Sequence, residues 1–274
     1  MKKSIALDIN LGIGDHVFAR AFLDGIKDQY DRIAITHSRP ALAFWFNNDK
    51  IRQDFNLKLG KLVFSEPPYI LVPNAHFPFY PNERIVKELN DKPVKPNLDH
   101  LAAGAPLDIT DYIVITTKAR QFPKATFDQI KDKLALSLQA LAAKHRIVIL
   151  GERDVQRTRE YEAEVNRNQV FGIYDYLISV LPSDRIVDLS VPVLGITVSS
   201  MEQFQQDCLI FKEAKCVLTL GIGGNFWMSA AVAKKTIGLR ADTEWTTDLM
   251  INQYPNMFLT KSIDEFTGFL TQLD

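Results

Sequence analysis

Short runs rich in Ile, Val and Leu alternate along this chain with longer stretches of helical period, and no other feature constrains its fold as much. A strand covered on both faces reads as an unbroken apolar run, and a covering helix repeats its apolar positions every three to four residues, so the alternation predicts βαβ units around parallel sheet. The pattern runs twice. The first series opens with a strand at Ser4 to Asp8, a turn through Asn10-Leu11-Gly12-Ile13-Gly14, and a helix from Asp15 to Lys27 with Val17, Phe18, Ala21 and Phe22 on one face. It continues with a strand at Asp31 to Thr36, helical or irregular material to Phe55, strands at 62–64 and 69–72, and a helix at 82–89.

Between Asp91 and Asp108 the chain holds Pro93, Pro96, Pro106 and Gly104 with few periodic apolar positions. Prolines that fix φ and lack an N–H disfavour regular pairing, which makes this stretch the expected link, with the boundary near Leu107. A length of 274 residues accommodates two domains, 1–107 and 108–274, each large enough for its own core. The second series is a strand at Tyr112 to Ile115, a helix opened by a Thr126/Gln129 capping box, and a strand at 146–150. A charged helix through Arg159 and Val165 follows, then an apolar helix at 174–181, a strand at 186–187, and a helix at 201–214 opened by Ser200 and Gln203. The strand Cys216 to Leu220 leads into Gly221-Ile222-Gly223-Gly224-Asn225, the helix 226–233 and a last strand at 236–239. The amphipathic segment 262–273 is expected to pack back across the first domain. The fold class is therefore α/β, two Rossmann-like parallel-sheet domains facing a cleft.

Charge excludes little and favours little. Up to Leu107 the chain carries 14 Lys+Arg against 12 Asp+Glu, and after it 18 against 21, so neither half has the basic excess of a protein that binds a phosphate backbone. A nucleic acid acceptor is thus not favoured, though a local basic groove stays open. The apolar run after Met1-Lys2-Lys3 is broken by Asp8 and Asn10, too short and polar for a signal-peptide core or a membrane span, and a cytoplasmic location is expected. The two cysteines, Cys208 and Cys216, sit in apolar surroundings without metal-type spacing and read as buried small hydrophobes.

Open α/β sheets bind ligands at the carboxyl ends of their strands, which is where both glycine turns fall. In the second turn, Gly223, Gly224 and Asn225 lead into a helix whose free amides and positive dipole suit a diphosphate; alternatively the glycines serve only a tight turn. In the first, Gly12 and Gly14 precede Asp15 and His16, and Asp15 is either a general base for an incoming hydroxyl or an ordinary helix-start aspartate. Thr116, Thr117, Lys118, Arg120 and Lys124 gather hydroxyls and cations after a strand, which suits a departing phosphate or a solvated basic loop.

Taken in order, these motifs resemble the heptosyltransferase-like glycosyltransferases of family nine, which have the GT-B fold. The Gly12-Ile13-Gly14-Asp15 turn is similar to the family's opening Gly-Asp signature, Ile115-Thr116-Thr117-Lys118 with Phe122-Pro123-Lys124 to its phosphate-binding segment, and Leu150-Gly151-Glu152 to its nucleoside-reaching acid. Asp188-Leu189 and the stretch from Cys216 to Leu239 match its closing pattern. The resemblance implies Asp15 as the base, a nucleotide diphosphate sugar as donor, no separate cofactor, and a glycan or other hydroxyl compound as acceptor. One segment departs: where the family has Asp, Ser or Thr, Gly, Pro, Met, His, this chain has Ile222, Gly223, Gly224, Asn225, Phe226, Trp227. The departure implies a donor other than ADP-heptose, or a non-catalytic nucleotide- or glycan-binding protein on the same fold. No Asp-x-Asp stands near a strand end, so transfer without a metal is expected. A dinucleotide dehydrogenase fits less well, because the first turn lacks the third glycine of that fingerprint.

Overall fold

The computed structural model describes residues 4–9, 27–37, 51–54, 69–72, 102–153, 169–192, 201–221, 223–240 and 255–273. The chain divides into two compact units, Met1–Leu98 with Thr247–Tyr254, and Asp99–Thr246 with Pro255–Asp274.

The first unit holds a parallel sheet in the order β3-β2-β1-β4, formed by β1 (Ser4–Ile9), β2 (Arg32–His37), β3 (Ile51–Asp54) and β4 (Tyr69–Val72). Ile33, Ala34 and Ile35 are buried, as a strand between two parallel neighbours requires. β3 corrects the reading of helical or irregular material there. Its sequence, Ile-Arg-Gln-Asp, lacks an apolar run, and an edge strand paired on one side needs none. The expected helix over 15–27 lies outside the described residues except for Lys27, which opens a 3-10 turn at Lys27–Gln29. The predicted strand at 62–64 and helix at 82–89 also fall outside them.

The second unit is built on β5 (Ile113–Pro123), β6 (Ile147–Leu150), β8 (Ile186–Asp188), β9 (Cys216–Leu220), β10 (Thr236–Leu239) and β11 (Met257–Thr260), in the order β11-β10-β9-β5-β6-β8. All five pairings along that path are parallel. Among the described residues the α-helices are α1 (Lys124–Lys144), α2 (Tyr174–Val180), α3 (Met201–Glu213), α4 (Gly224–Val232) and α5 (Ile263–Leu270). β7 (Gln169–Gly172) adds an antiparallel pairing to the far end of β5.

One core explains why these elements hold together. Phe127, Leu134, Leu138 and Leu141 line one face of α1 and pack with Ile115 and Leu218 of the sheet and with Phe266 and Leu270 of α5. Burying each such side chain contributes about 1.5–3 kcal/mol before chain entropy is charged against it. The carboxyl-terminal helix therefore belongs to the second unit. It packs on α1 and beside β10 and β11, and Lys133 of α1 ion-pairs with Asp264 at its start. The sequence reading saw its apolar face correctly and chose the wrong partner for it.

Two further expectations change. β5 runs on to Pro123, so Thr116, Thr117, Lys118 and Arg120 stand within a strand rather than in a loop after it. α1 then begins at Lys124, with Pro123 at its cap position and no capping side chain; Thr126 and Gln129 lie inside the helix and form no capping box. On α3, Ser200 is outside the described residues, and Gln203 donates to Asp207 Oδ1 at 2.7 Å. The Gln206 amide grips the backbone of Ala105, accepting from its N–H at 3.1 Å and donating to its carbonyl at 2.8 Å. That pair of hydrogen bonds ties part of the proline-rich stretch to α3. Cys208 and Cys216 are buried free thiols. Burial raises both, Cys216 to about 12 despite the opposing charge of Lys235, so neither thiol ionises at neutral pH.

Candidate functional site

Parallel pairing brings the carboxyl ends of β5, β6, β8, β9 and β10 to one edge of the second sheet. Most residues singled out by sequence in this half stand on that edge. Thr116 pairs with Leu150, one residue before Gly151 and two before Glu152. Toward β9 the register shifts: Ile115 lies opposite Leu218 but Ala119 opposite Leu220, so Thr116, Thr117 and Lys118 form a bulge beside Thr219. Bulges of this kind redirect side chains at the ends of strands.

Thr116 and Thr117 are fully buried, and their hydroxyls have no hydrogen-bond partner among the described residues. Thr117 is pinned by its carbonyl, which accepts from Ile173 N–H at 2.9 Å. Above it lies Gly151, at φ +123°, with no space for a Cβ beside the Thr117 hydroxyl. Lys118 is exposed and faces Gly172 in the β5–β7 ribbon, Arg120 belongs to the same ribbon, and Lys124 is exposed at the start of α1.

β9 ends at Leu220, and Gly221 follows in the left-handed region at φ 76°, where a side chain would be strained. Gly223 then caps α4 in an extended conformation that any residue adopts. Gly224 and Asn225 form the first turn of α4, which contains no acidic residue, so its amides and positive dipole end meet no carboxylate of their own turn. Trp227 and Phe226 are buried, with rings 5.0 Å apart at 71°. The position at which the resembling family has a histidine is thus filled by a packed indole.

A network around Asp188, which the sequence reading named without its partners Arg153, Tyr174 and Ser190, flanks Glu152. Arg153 Nε donates to Ser190 Oγ at 2.9 Å, and its NH2 lies 3.3 Å from Asp188 Oδ2. Tyr174 donates to the same oxygen at 2.7 Å, and its ring lies under the guanidinium at 5.5 Å. The Ser190 amide and hydroxyl both donate to Asp188 Oδ1. Burial alone would raise the Asp188 carboxyl; the bonds from Ser190 and Tyr174 and the charge of Arg153 outweigh it and hold the carboxyl below its usual value. The hydrogen bond to Asp188 raises the Tyr174 phenol. Backbone bonds continue the β6–β8 ladder past its strands, Val191 N to Gly151 O and Arg153 N to Val191 O, both 2.9 Å, which fixes Glu152 between two paired residues. Position immediately after a strand was the available signal for Arg153 and Ser190. Gly12, Gly14, Asp15 and His16 lie outside the described residues.

No family profile matches the chain, and no curated protein sequence does. Solved structures do. The E. coli ADP-heptose LPS heptosyltransferase II is similar over 100% of this chain and 98% of its own, at 11% identity and a TM-score of 0.50. The chain has a GT-B-like α/β fold. TibC, an iron-containing dodecameric glycosyltransferase from enterotoxigenic E. coli, is similar at 12% identity and a TM-score of 0.49; the match takes in 87% of this chain but only 58% of TibC. A family nine glycosyltransferase from Veillonella parvula is similar at 9% identity over 99% of this chain and 91% of its own, with a TM-score of 0.43. These three neighbours are a heptosyltransferase and two other glycosyltransferases, one of them of family nine, and at these identities the likeness establishes fold. Among the described residues no helix is long and apolar enough to cross a membrane.

Proposed function

We propose that this chain is a glycosyltransferase that moves a sugar from a nucleotide diphosphate sugar to a hydroxyl acceptor without a metal ion. The observation that carries the reading is the amino end of α4, free of acidic residues in its first turn, on the same strand edge as Thr116 and Thr117. Such an end suits a phosphate group, and the GT-B-like fold supports glycosyl transfer as the reaction class.

In this reading the second unit holds the donor. The amides of Gly224 and Asn225 face the diphosphate, with Gly223 allowing close approach; Thr116, Thr117, Lys118, Arg120 and Lys124 supply hydroxyls and cations, and Glu152 accepts from the ribose hydroxyls. The first unit holds the acceptor beside Gly12, Gly14 and His16. As the acceptor oxygen bonds to the anomeric carbon, Asp15 takes its proton. The bond from that carbon to the diphosphate oxygen breaks, and the electron pair leaves on the nucleoside diphosphate, whose charge the helix end and cations neutralise.

A second reading, a nucleotide- or glycan-binding protein without turnover, is favoured by Ile222 and by the buried Trp227 at positions the resembling family fills with polar residues. A thermal-shift panel of nucleoside diphosphates and nucleotide sugars, followed by transfer and hydrolysis assays on every hit, separates the two. Transfer that persists in a chelator supports the proposal; binding without turnover supports the second reading, and turnover restored only by magnesium or manganese refutes metal independence.

A further inference from the structure

Asp188 ends β8, and its carboxylate is a hub: the Ser190 amide and hydroxyl donate to Oδ1, and Tyr174 and Arg153 donate to Oδ2. The donors come from places that sequence keeps apart, the end of β6, the turn after β8 and the first residue of α2. One more bond closes the ring, from Arg153 Nε to Ser190 Oγ at 2.9 Å.

Beside this ring the backbone carries on as sheet although both strands have ended. Val191 N–H donates to Gly151 O and Arg153 N–H to Val191 O, each at 2.9 Å, and the residue bridged to Val191 is Glu152. Ladders ordinarily fray at their ends, and the chain past a strand turns away over the surface. Here the side chains of Asp188, Ser190 and Arg153 brace the pairing, since Ser190 is the neighbour of Val191 and Arg153 the neighbour of Glu152.

Stability is a weak reason for such a brace. Arg153 and Asp188 both reach solvent, where an ion pair contributes little. What the brace does fix is the position of one acid at the carboxyl edge, where open α/β sheets bind ligands. The Glu152 carboxylate has no hydrogen bond or ion pair among the described residues, so the brace leaves it available. Partners that orient a binding residue without touching the ligand commonly set its affinity.

We propose that Asp188 is a positioning residue for Glu152: through Arg153 and Ser190 it holds Glu152 where its carboxylate accepts from the ribose hydroxyls of a nucleotide. The inference rests on the donor reading above, in which Glu152 meets the ribose, and adds the residues that set its geometry.

The test is calorimetric titration of the full chain with ADP, UDP and GDP and with their 2′,3′-dideoxy forms, comparing wild type with Asp188→Asn, Glu152→Ala and the double variant. A displaced hydrogen bond corresponds to about three- to tenfold in affinity. Asp188→Asn should weaken the ribonucleotide that wild type binds by that factor, leave its dideoxy form unchanged, and add no further loss once Glu152 is alanine. A brace that served only the fold would weaken both forms alike. If Asp188→Asn does not fold, Ser190→Ala decides, because it removes the bond from Arg153 and one of those to Asp188 and should show the same selective loss. Unchanged ribonucleotide affinity in the folded variant, equal loss on both forms, or the full loss persisting without Glu152 overturns the positioning role. The donor reading survives that result as long as Glu152→Ala weakens the ribonucleotide more than its dideoxy form. A Glu152→Ala that treats both forms alike, or a wild-type chain that binds no nucleotide, overturns the part given to Glu152 and the positioning role with it.

Discussion

Tyr174 donates its phenolic proton to Asp188 Oδ2 across 2.7 Å, joining the start of α2 to the end of β8. Together with Ser190 and Arg153 it holds the Asp188 carboxyl below its usual value although burial pulls the other way. A depressed folded value means that the stabilisation is fully present above the ordinary carboxylate value, about pH 4, and is lost as pH falls through the folded value. Asp188→Asn should lower stability by less than about 1 kcal/mol at pH 7, because solvent screens this exposed carboxylate, and flatten the decline below pH 4. Urea unfolding of both proteins at several pH values checks this, and parallel acid limbs would contradict it.

Gly151 takes φ +123° directly over Thr117. Alanine there meets both an unfavourable backbone region and the Thr117 hydroxyl, so Gly151→Ala should cost about 2–4 kcal/mol. Adding Thr117→Ala removes the obstructing oxygen and leaves the backbone strain, and the double variant should recover part of the loss. Simple additivity of the two substitutions would show that the residues do not meet.

How much of this was legible in sequence depends on how local the cause is. The βαβ alternation, the strand Cys216 to Leu220 and the glycine turn into α4 were readable because apolar runs and Gly221 state their own conformations. β5 was cut short because its apolar run ends at Ile115; Thr116 and Thr117 continue it as β-branched residues stabilised by β6, β9 and Ile173, contacts that lie far along the chain. The partners of Asp188, namely Arg153, Ser190 and Tyr174, were missed for a related reason. Arg153 and Asp188 are 35 residues apart, and only the β6–β8 pairing makes them neighbours. The placement of α5 failed on partner choice, since an amphipathic face states that something covers it and not what.

Asp207 should reveal itself through pH in the opposite sense to Asp188. Burial pushes its carboxyl up to about 6 against the hydrogen bond from Gln203. A raised folded value means that the native state binds the proton more tightly, so stability is highest below the ordinary carboxylate value and declines as pH rises to about 6. Asp207→Asn should stabilise the protein at pH 7 by roughly 1–2 kcal/mol, allowing for the partial exposure of the side chain, and abolish that decline. A thermal melt at pH 5 and pH 7 measures both effects; destabilisation at pH 7 would mean that the ionised carboxylate has a favourable partner.

The role of Asp15 is where the proposed transfer chemistry is most exposed to test. Asp15→Asn preserves shape and most capping ability, so stability should fall by less than about 1 kcal/mol. An amide cannot accept the acceptor proton, and loss of a general base lowers the rate by about 10² to 10⁴. The decisive measurement is release of nucleoside diphosphate from a nucleotide sugar in the presence of acceptor, by wild type and Asp15→Asn, with donor affinity and melting temperature recorded on the same samples. The account predicts turnover by wild type, and a folded variant that binds donor equally well but turns over by that factor more slowly. A folded Asp15→Asn with near-normal turnover, or a wild-type chain that binds no nucleotide sugar, would contradict it.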